Sequence, residues 1–245
     1  MGEQETLNMN NIDFALGTHT GLVRELNEDR YLALPEFGLW VVADGMGGYE
    51  AGEVASNIAV LEIARNVEQG MSLVDAIETA HRAIQNAALQ GVGAVDMGST
   101  VVAVKLDGLR YEIAWVGDSR AYLWNGTLQQ LTTDHSYVQL LLNAGLITKS
   151  EVSNHPSRNI ISQALGAGGV DNTNINVELV SGELGEGDTL LLCSDGLSGA
   201  ISDDGIATIL SEITDNHIRV DQLITTALNA GGTDNITVIV LGNRL

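Results

Sequence analysis

Short apolar runs in this chain come in groups, while helical periodicity comes in pairs, and that grouping constrains the fold most. Runs rich in Val, Ile and Leu, separated by Gly, Asp or Asn, predict strands at 12–19, 30–34, 38–43, 98–106, 110–117, 120–124, 175–181, 188–193 and 235–241. Between the third and fourth runs, Ala51, Val54, Ala55, Ile58 and Leu61 recur at helical spacing over 51–66. Ala76, Ile77, Ala80, Ala83, Ile84 and Ala87 repeat that spacing over 73–90. A second pair is predicted at 204–213, from Ile206, Ile209, Leu210 and Ile213, and at 217–230, from Val220, Leu223, Ile224, Ala227 and Leu228. Regular strand–helix alternation would give a parallel sheet. Grouped elements predict instead an α+β fold with largely antiparallel sheets and helices on the outer faces. No repeat, low-complexity tract or proline-rich linker divides residues 1–245, so one domain is expected. The less regular segment 134–165 is read as a partly helical flap on that body.

With hydrophobic residues at 44% and aromatics at only 4%, the core must be built from Ala, Val, Ile and Leu. Eleven basic against 32 acidic residues give a net charge of −21, which repels nucleic acid and anionic membranes. The single cysteine, Cys193, excludes an internal disulfide; inside the apolar run TLLLC it reads as a buried, inert thiol. The longest wholly apolar run, Leu39 to Ala43, is far short of the ~20 residues a membrane helix needs. The opening residues lack the basic and apolar regions of a signal peptide. Gly2 and Thr6 fit a loose myristoylation pattern short enough to arise by chance. A cytoplasmic location is expected.

Acidic residues recur at strand ends. Asp44 follows the run LWVVA, Asp118 follows YEIAWVG, and Asp195 follows TLLLCS; Asp234 precedes NITVIVL, and Glu28 and Asp29 precede RYLAL. In antiparallel sheets the end of one strand lies beside the start of its neighbour, so these residues can collect along one edge. Taken singly, each has an ordinary explanation as a turn or capping residue. Taken together, carboxylates at one edge repel unless cations neutralise them. Without a Cys cluster or paired His, such a site offers only oxygen, which favours magnesium or manganese over zinc or copper. Arg24, five residues before Asp29, is an ordinary surface arginine unless its turn lies at that edge, where its planar fork can take two phosphate oxygens. The glycines of DGMGG allow close backbone approach, and the Gly45 carbonyl is a possible ligand.

The ordered series GTHTGLVRELNEDRY, DGMGG, GST, GDSRAY, LTTDHSYV, HPSRNIISQALG, CSDGLSG and GGTDNITVIV resembles the metal-dependent protein phosphatases of type 2C, in their small bacterial form. It covers nearly the whole chain. The resemblance implies a central antiparallel β-sandwich flanked by helix pairs on both outer faces, a four-layer α-β-β-α arrangement. It also implies a protein serine/threonine phosphatase using two core Mn2+ or Mg2+ ions, with a third, weaker site. By that resemblance Asp44 bridges two metals, Asp195 and Asp234 complete the first site, and the Gly45 carbonyl helps hold the second. Asp118 with Asp195 forms the third site, Arg24 binds substrate phosphate, and Asp29 orients metal-bound water; Glu28 contacts a water on the second metal. Ser194 and Asn235 flank ligands and are read as structural. One departure stands out. Many bacterial relatives have His where this chain has Tyr49, and the animal enzymes have His where Met46 stands. No general acid is therefore assigned, with His135 or a metal-bound water as the available substitutes.

Phosphorylated proteins are the expected partners, a serine/threonine kinase or its targets being natural candidates, and a monomer is expected. Cys193 is followed by no Arg, so the loop of cysteine phosphatases is absent, as are an Asp-x-Asp nucleophile pair and a Walker A sequence. Two other readings share the fold: a non-catalytic binding module, and a phosphatase of small esters.

Overall fold

The computed structural model describes residues 12–48, 51–152, 154–168 and 175–243. Two sheets stack face to face. One runs, in spatial order, β1 (Ile12–His19), β11 (Ile236–Asn243), β10 (Thr189–Cys193), β7 (Arg120–Trp124) and β8 (Leu128–Gln130). The other runs β2 (Asp29–Leu34), β3 (Leu39–Met46), β5 (Val101–Asp107), β6 (Arg110–Val116) and β9 (Glu178–Glu183), with the short β4 (Gly98–Ser99) paired to the end of β3. All of these pairings are antiparallel.

Side-chain alternation sorts the strands into layers. Trp40, Val42, Val102, Val104, Ile113 and Trp115 meet Ala121, Leu123, Leu190, Leu192, Ile239 and Leu241 between the sheets. Their neighbours Val41, Ala43, Val101, Ala103, Ala114 and Val116 face outward, under α1 (Ala51–Glu68) and α2 (Leu73–Leu89). On the opposite side Leu191, Cys193, Val238 and Val240 pack beneath α5 (Asp195–Ser198), α6 (Asp203–Glu212) and α7 (Asn216–Asn229). The central strands are covered on both faces, which is why they read as continuous apolar runs. Alanines at 43, 51, 55, 59, 103 and 114 fill the helix–sheet layer in place of large side chains. Ser72, Ser202 and Asp215 cap α2, α6 and α7, each side chain accepting a backbone N–H of the first turn. The four-layer α-β-β-α arrangement expected from the sequence is the one observed.

Three details differ. The run predicted at 98–106 is broken at Thr100, whose N–H donates to the Asp44 carbonyl at 2.8 Å. Its hydroxyl accepts from the Asp44 N–H at 3.1 Å, so Thr100 ties two strand ends together where it would otherwise continue one. Both β8 and α5 are too short for any periodicity to announce. Within 134–165 lie α3 (Tyr137–Asn143) and α4 (Lys149–Val152), and bridges Ser136↔Ile161 and Ser99↔Leu165 close the segment against the sheet edge. No helix among the described residues is long and apolar enough to cross a membrane.

Candidate metal centre

Register brings the first two carboxylates together. In the β2–β3 ladder Asp29 stands directly opposite Asp44. From the other sheet, Asp195 follows the end of β10 and Asp234 precedes β11, strands that are paired neighbours. Asp118 enters from the turn between β6 and β7. Arg24, Glu28, Asp44, Gly45, Asp118, Asp195 and Asp234 all line one cavity of about 270 Å3, joined by Met46, Thr100, Asn159 and Asn235 among others. Asp29 lies beneath it, 2% exposed.

The two sheets are locked at this edge by hydrogen bonds between residues far apart in the chain. Ser194 donates its hydroxyl to Asp29 Oδ2 at 2.7 Å and accepts the Thr237 N–H at 3.0 Å. Asn235 organises the 20–28 loop that carries Arg24. Its Oδ1 accepts the Glu28 N–H at 2.8 Å, and its Nδ2 donates to the carbonyls of Thr20 and Leu26, both at 2.9 Å. Arg24 in turn donates to Asp234 Oδ2 at 2.8 Å. Gly45 is required by contact: a Cβ there would sit 2.0 Å from the Gly52 carbonyl oxygen.

Electrostatics at this edge are unfavourable to bare carboxylates. Desolvation pushes Asp44 well above the usual carboxylate range, and the charges of Asp29, Asp195, Asp118 and Asp234 add to it. Asp29 is pushed up to about 7, by burial first and despite its hydrogen bonds from Ser194 and Thr237. Asp118 also rises to about 7, through desolvation and then its proximity to Asp195 and Asp134. Asp195 is raised by desolvation and by Asp234, and lies within hydrogen-bonding reach of the Asp44 carboxyl. Two carboxyls in such contact share a proton or a cation. Asp29 Oδ1 and Asp195 Oδ1 are buried and accept no hydrogen bond among the described residues.

Those orphaned oxygens and the oxygen-only donor set fit hard divalent cations. The side chains are not closed around an ion: among the described residues no three His, Cys, Asp or Glu side chains converge on one point. The carboxylates line a shared cavity, where Arg24 holds Asp234 through Oδ2. Cys193 is fully buried, and burial pushes its thiol up to about 12, which removes it as a nucleophile.

Comparison with known proteins decides the family. Residues 17–230 match the Protein phosphatase 2C family. The chain belongs to that family. It is 39% identical over 234 residues to the serine/threonine protein phosphatase PstP of Mycobacterium tuberculosis, covering 93% of this chain and 44% of that protein. The chain thus spans less than half the length of this mycobacterial relative. It is 38% identical over 242 residues to the serine/threonine phosphatase stp of Listeria welshimeri, covering 93% of this chain and 94% of that one. A crystal structure of the PstP catalytic domain in complex with two manganese ions superposes with a TM-score of 0.83, at 34% identity, covering 94% and 97% of the two chains.

Within this type 2C fold, His135 does not line the metal cavity. It is buried, and its Nδ1 accepts the Gly117 N–H at 3.1 Å, which places its proton on Nε2, 3.4 Å from Glu178 Oε1. Its backbone pairs on both sides, donating to the Gly117 carbonyl and accepting from Ser162. Met46 does line the cavity, whereas Tyr49 lies outside the described residues, as do Gly2 and Thr6. Thr100 and Asn159 line the cavity too, and the sequence alone does not mark either as a site residue. The motif GST held the only signal for Thr100: a polar residue interrupting an apolar run beside an acidic strand end.

Proposed function

We propose that the chain is a protein serine/threonine phosphatase, hydrolysing phosphoserine and phosphothreonine with two divalent cations, manganese or magnesium. The observation that carries this is one cavity lined by Glu28, Asp44, Asp118, Asp195 and Asp234, with orphaned carboxylate oxygen at its base and Arg24 at its mouth. Asp44 would bridge the two ions, Asp195 and Asp234 would complete the first site, and the Gly45 carbonyl would serve the second. Asp118 with Asp195 would form a third, weaker site. Relatives named as serine/threonine phosphatases, and one of them with two manganese ions, support the reading.

When bound, such ions lower the pKa of a water and neutralise charge on the phosphoryl oxygens. The chain supplies the rest. Arg24, about half exposed, offers two phosphate oxygens the fork that Asp234 now engages. Asp29 is fixed through Oδ2 by Ser194, which leaves Oδ1 to accept a hydrogen bond and orient the attacking water. Water oxygen bonds to phosphorus as the bond from phosphorus to the serine or threonine oxygen breaks, the proton that water gives up is balanced by one taken up on that leaving oxygen, and no phosphoenzyme forms. Residues 1–245 act as one catalytic domain, with 134–165 as its flap. Phosphorylated proteins in the cytoplasm, a serine/threonine kinase and its targets among them, are the substrates of a monomeric enzyme.

Asp44→Ala should abolish manganese-dependent hydrolysis of a phosphothreonine peptide; wild-type turnover in that variant would overturn the assignment. Arg24→Ala should raise KM for the peptide roughly 10- to 100-fold, the worth of a charged hydrogen bond, while manganese still binds.

A further inference from the structure

A second cavity, of about 330 Å3, adjoins the metal cavity and shares Asp118, Asn159 and Asp195 with it. One wall is formed by α3 and α4 of the flap, and the other by Ser198 to Asp203, between α5 and α6. Its apolar lining comes from Val138, Leu142, Val152 and Ile201. Three cations also line it: Arg120, Lys149 and Arg158.

Their pairing sets two of them apart. Arg120 is spent, held by Asp134 through two hydrogen bonds of 2.9 and 2.7 Å. Neither Lys149 nor Arg158 makes a side-chain hydrogen bond or ion pair among the described residues. In a chain of net charge −21 a basic side chain has carboxylates within easy reach, and Arg24, Arg30, Arg65, Arg82 and Arg120 each take one. Lys149 and Arg158 remain unpaired although four aspartates line the same cavity. Those aspartates are otherwise engaged: Asp134 by Arg120, Asp203 by the Tyr122 hydroxyl, Asp118 and Asp195 at the metal cavity. Among the described residues the other cations without an ion pair or side-chain hydrogen bond, Lys105 and Arg110, sit at the opposite end of β5 from the metal site, beside Glu36, Asp107 and Glu112.

We propose that this cavity is a subsite for a second anionic side chain of the substrate, a phosphate or a carboxylate, gripped by Lys149 and Arg158 while the scissile phosphate occupies the metal cavity. This inference rests on the phosphatase reading above and names the substrate class: segments in which the phosphorylated residue has an anionic neighbour. Planar Arg158 suits a dianionic phosphate, and Lys149 acts as a point charge beside it.

The test uses the manganese-loaded chain of residues 1–245 and phosphothreonine peptides carrying phosphoserine, glutamate or serine at each flanking position in turn. At the best position the wild type should show a kcat/KM roughly tenfold above the serine peptide, a preference that shrinks in high salt. A larger gain for phosphoserine assigns the subsite to phosphate, and equal gains assign it to either anion. The double variant Lys149→Ala with Arg158→Ala should lose the preference yet hydrolyse the serine peptide and p-nitrophenyl phosphate as the wild type does. Arg158→Lys, with Lys149 intact, should retain more of the preference than Arg158→Ala does. A wild type without preference at any position, or a preference that survives the double substitution, overturns the inference alone. Failure of the wild type on every peptide and on p-nitrophenyl phosphate would sink the phosphatase reading as well.

Discussion

Substituting His135 by Asn and by Leu separates two roles that the sequence leaves open. The imidazole is buried beside the turn that carries Asp118, and its Nδ1 accepts the N–H of Gly117 at 3.1 Å. Gly117 has a φ of 105°, a conformation that needs glycine and must be held. Asn places its Oδ1 where His places Nδ1, so the acceptor survives; Leu fills similar space without one. Leaving the buried Gly117 N–H unsatisfied costs about 1–3 kcal/mol, which the Leu variant should show in chemical denaturation. The Asn variant keeps the bond and loses packing against Trp115, whose ring centroid lies 6.4 Å away, and the Nε2 contact with Glu178 that Leu loses as well, at about 1 kcal/mol. Turnover should follow the same order, with Asn close to wild type and Leu lower because the Asp118 turn is released. Asn donates no proton in this pH range. Were His135 the general acid, Asn would lose ~10²–10⁴-fold in rate, as Leu would. Stability measurements and pH–rate profiles on both variants decide the matter. Equal, deep loss of turnover in a well-folded Asn variant would refute the positioning role.

The metal-free protein should lose stability as pH rises, because Asp29 and Asp118, each pushed up to about 7, keep protons that the unfolded chain releases near pH ~4. That contribution is complete below about pH 4 and is lost as pH passes 7; thermal unfolding in chelator should show it, and manganese should reverse the trend. Asn235→Ala should free the 20–28 loop by removing the three hydrogen bonds to Glu28, Thr20 and Leu26. A raised KM for phosphopeptide, with manganese affinity reduced less, is expected in steady-state kinetics and calorimetry.

The sequence made the layers legible because strands buried on both faces leave unbroken apolar runs and the helices between them keep their own period. β1 and β7 fall on the predicted residues. The acidic site was legible for a related reason: Asp44, Asp118 and Asp195 each close an apolar run, and Asp234 opens one. Contacts between distant segments were not. Nothing local shows that Ser194 bonds Asp29, 165 residues away, or that Asn235 holds Glu28 across 207. Arg24 reads in the sequence as a surface arginine, to which only the resemblance gives a phosphate role, and its partner Asp234 lies 210 residues on. His135 sits in a polar motif that suggests chemistry, yet the fold turns it inward toward Gly117.

Anomalous scattering at the manganese edge, from crystals grown with the ion, tests the central claim most directly. Two strong peaks are expected in the cavity, Asp44 reaching both and Asp195 and Asp234 reaching one of them. A well-folded protein in millimolar manganese with no peak among those three aspartates would contradict it.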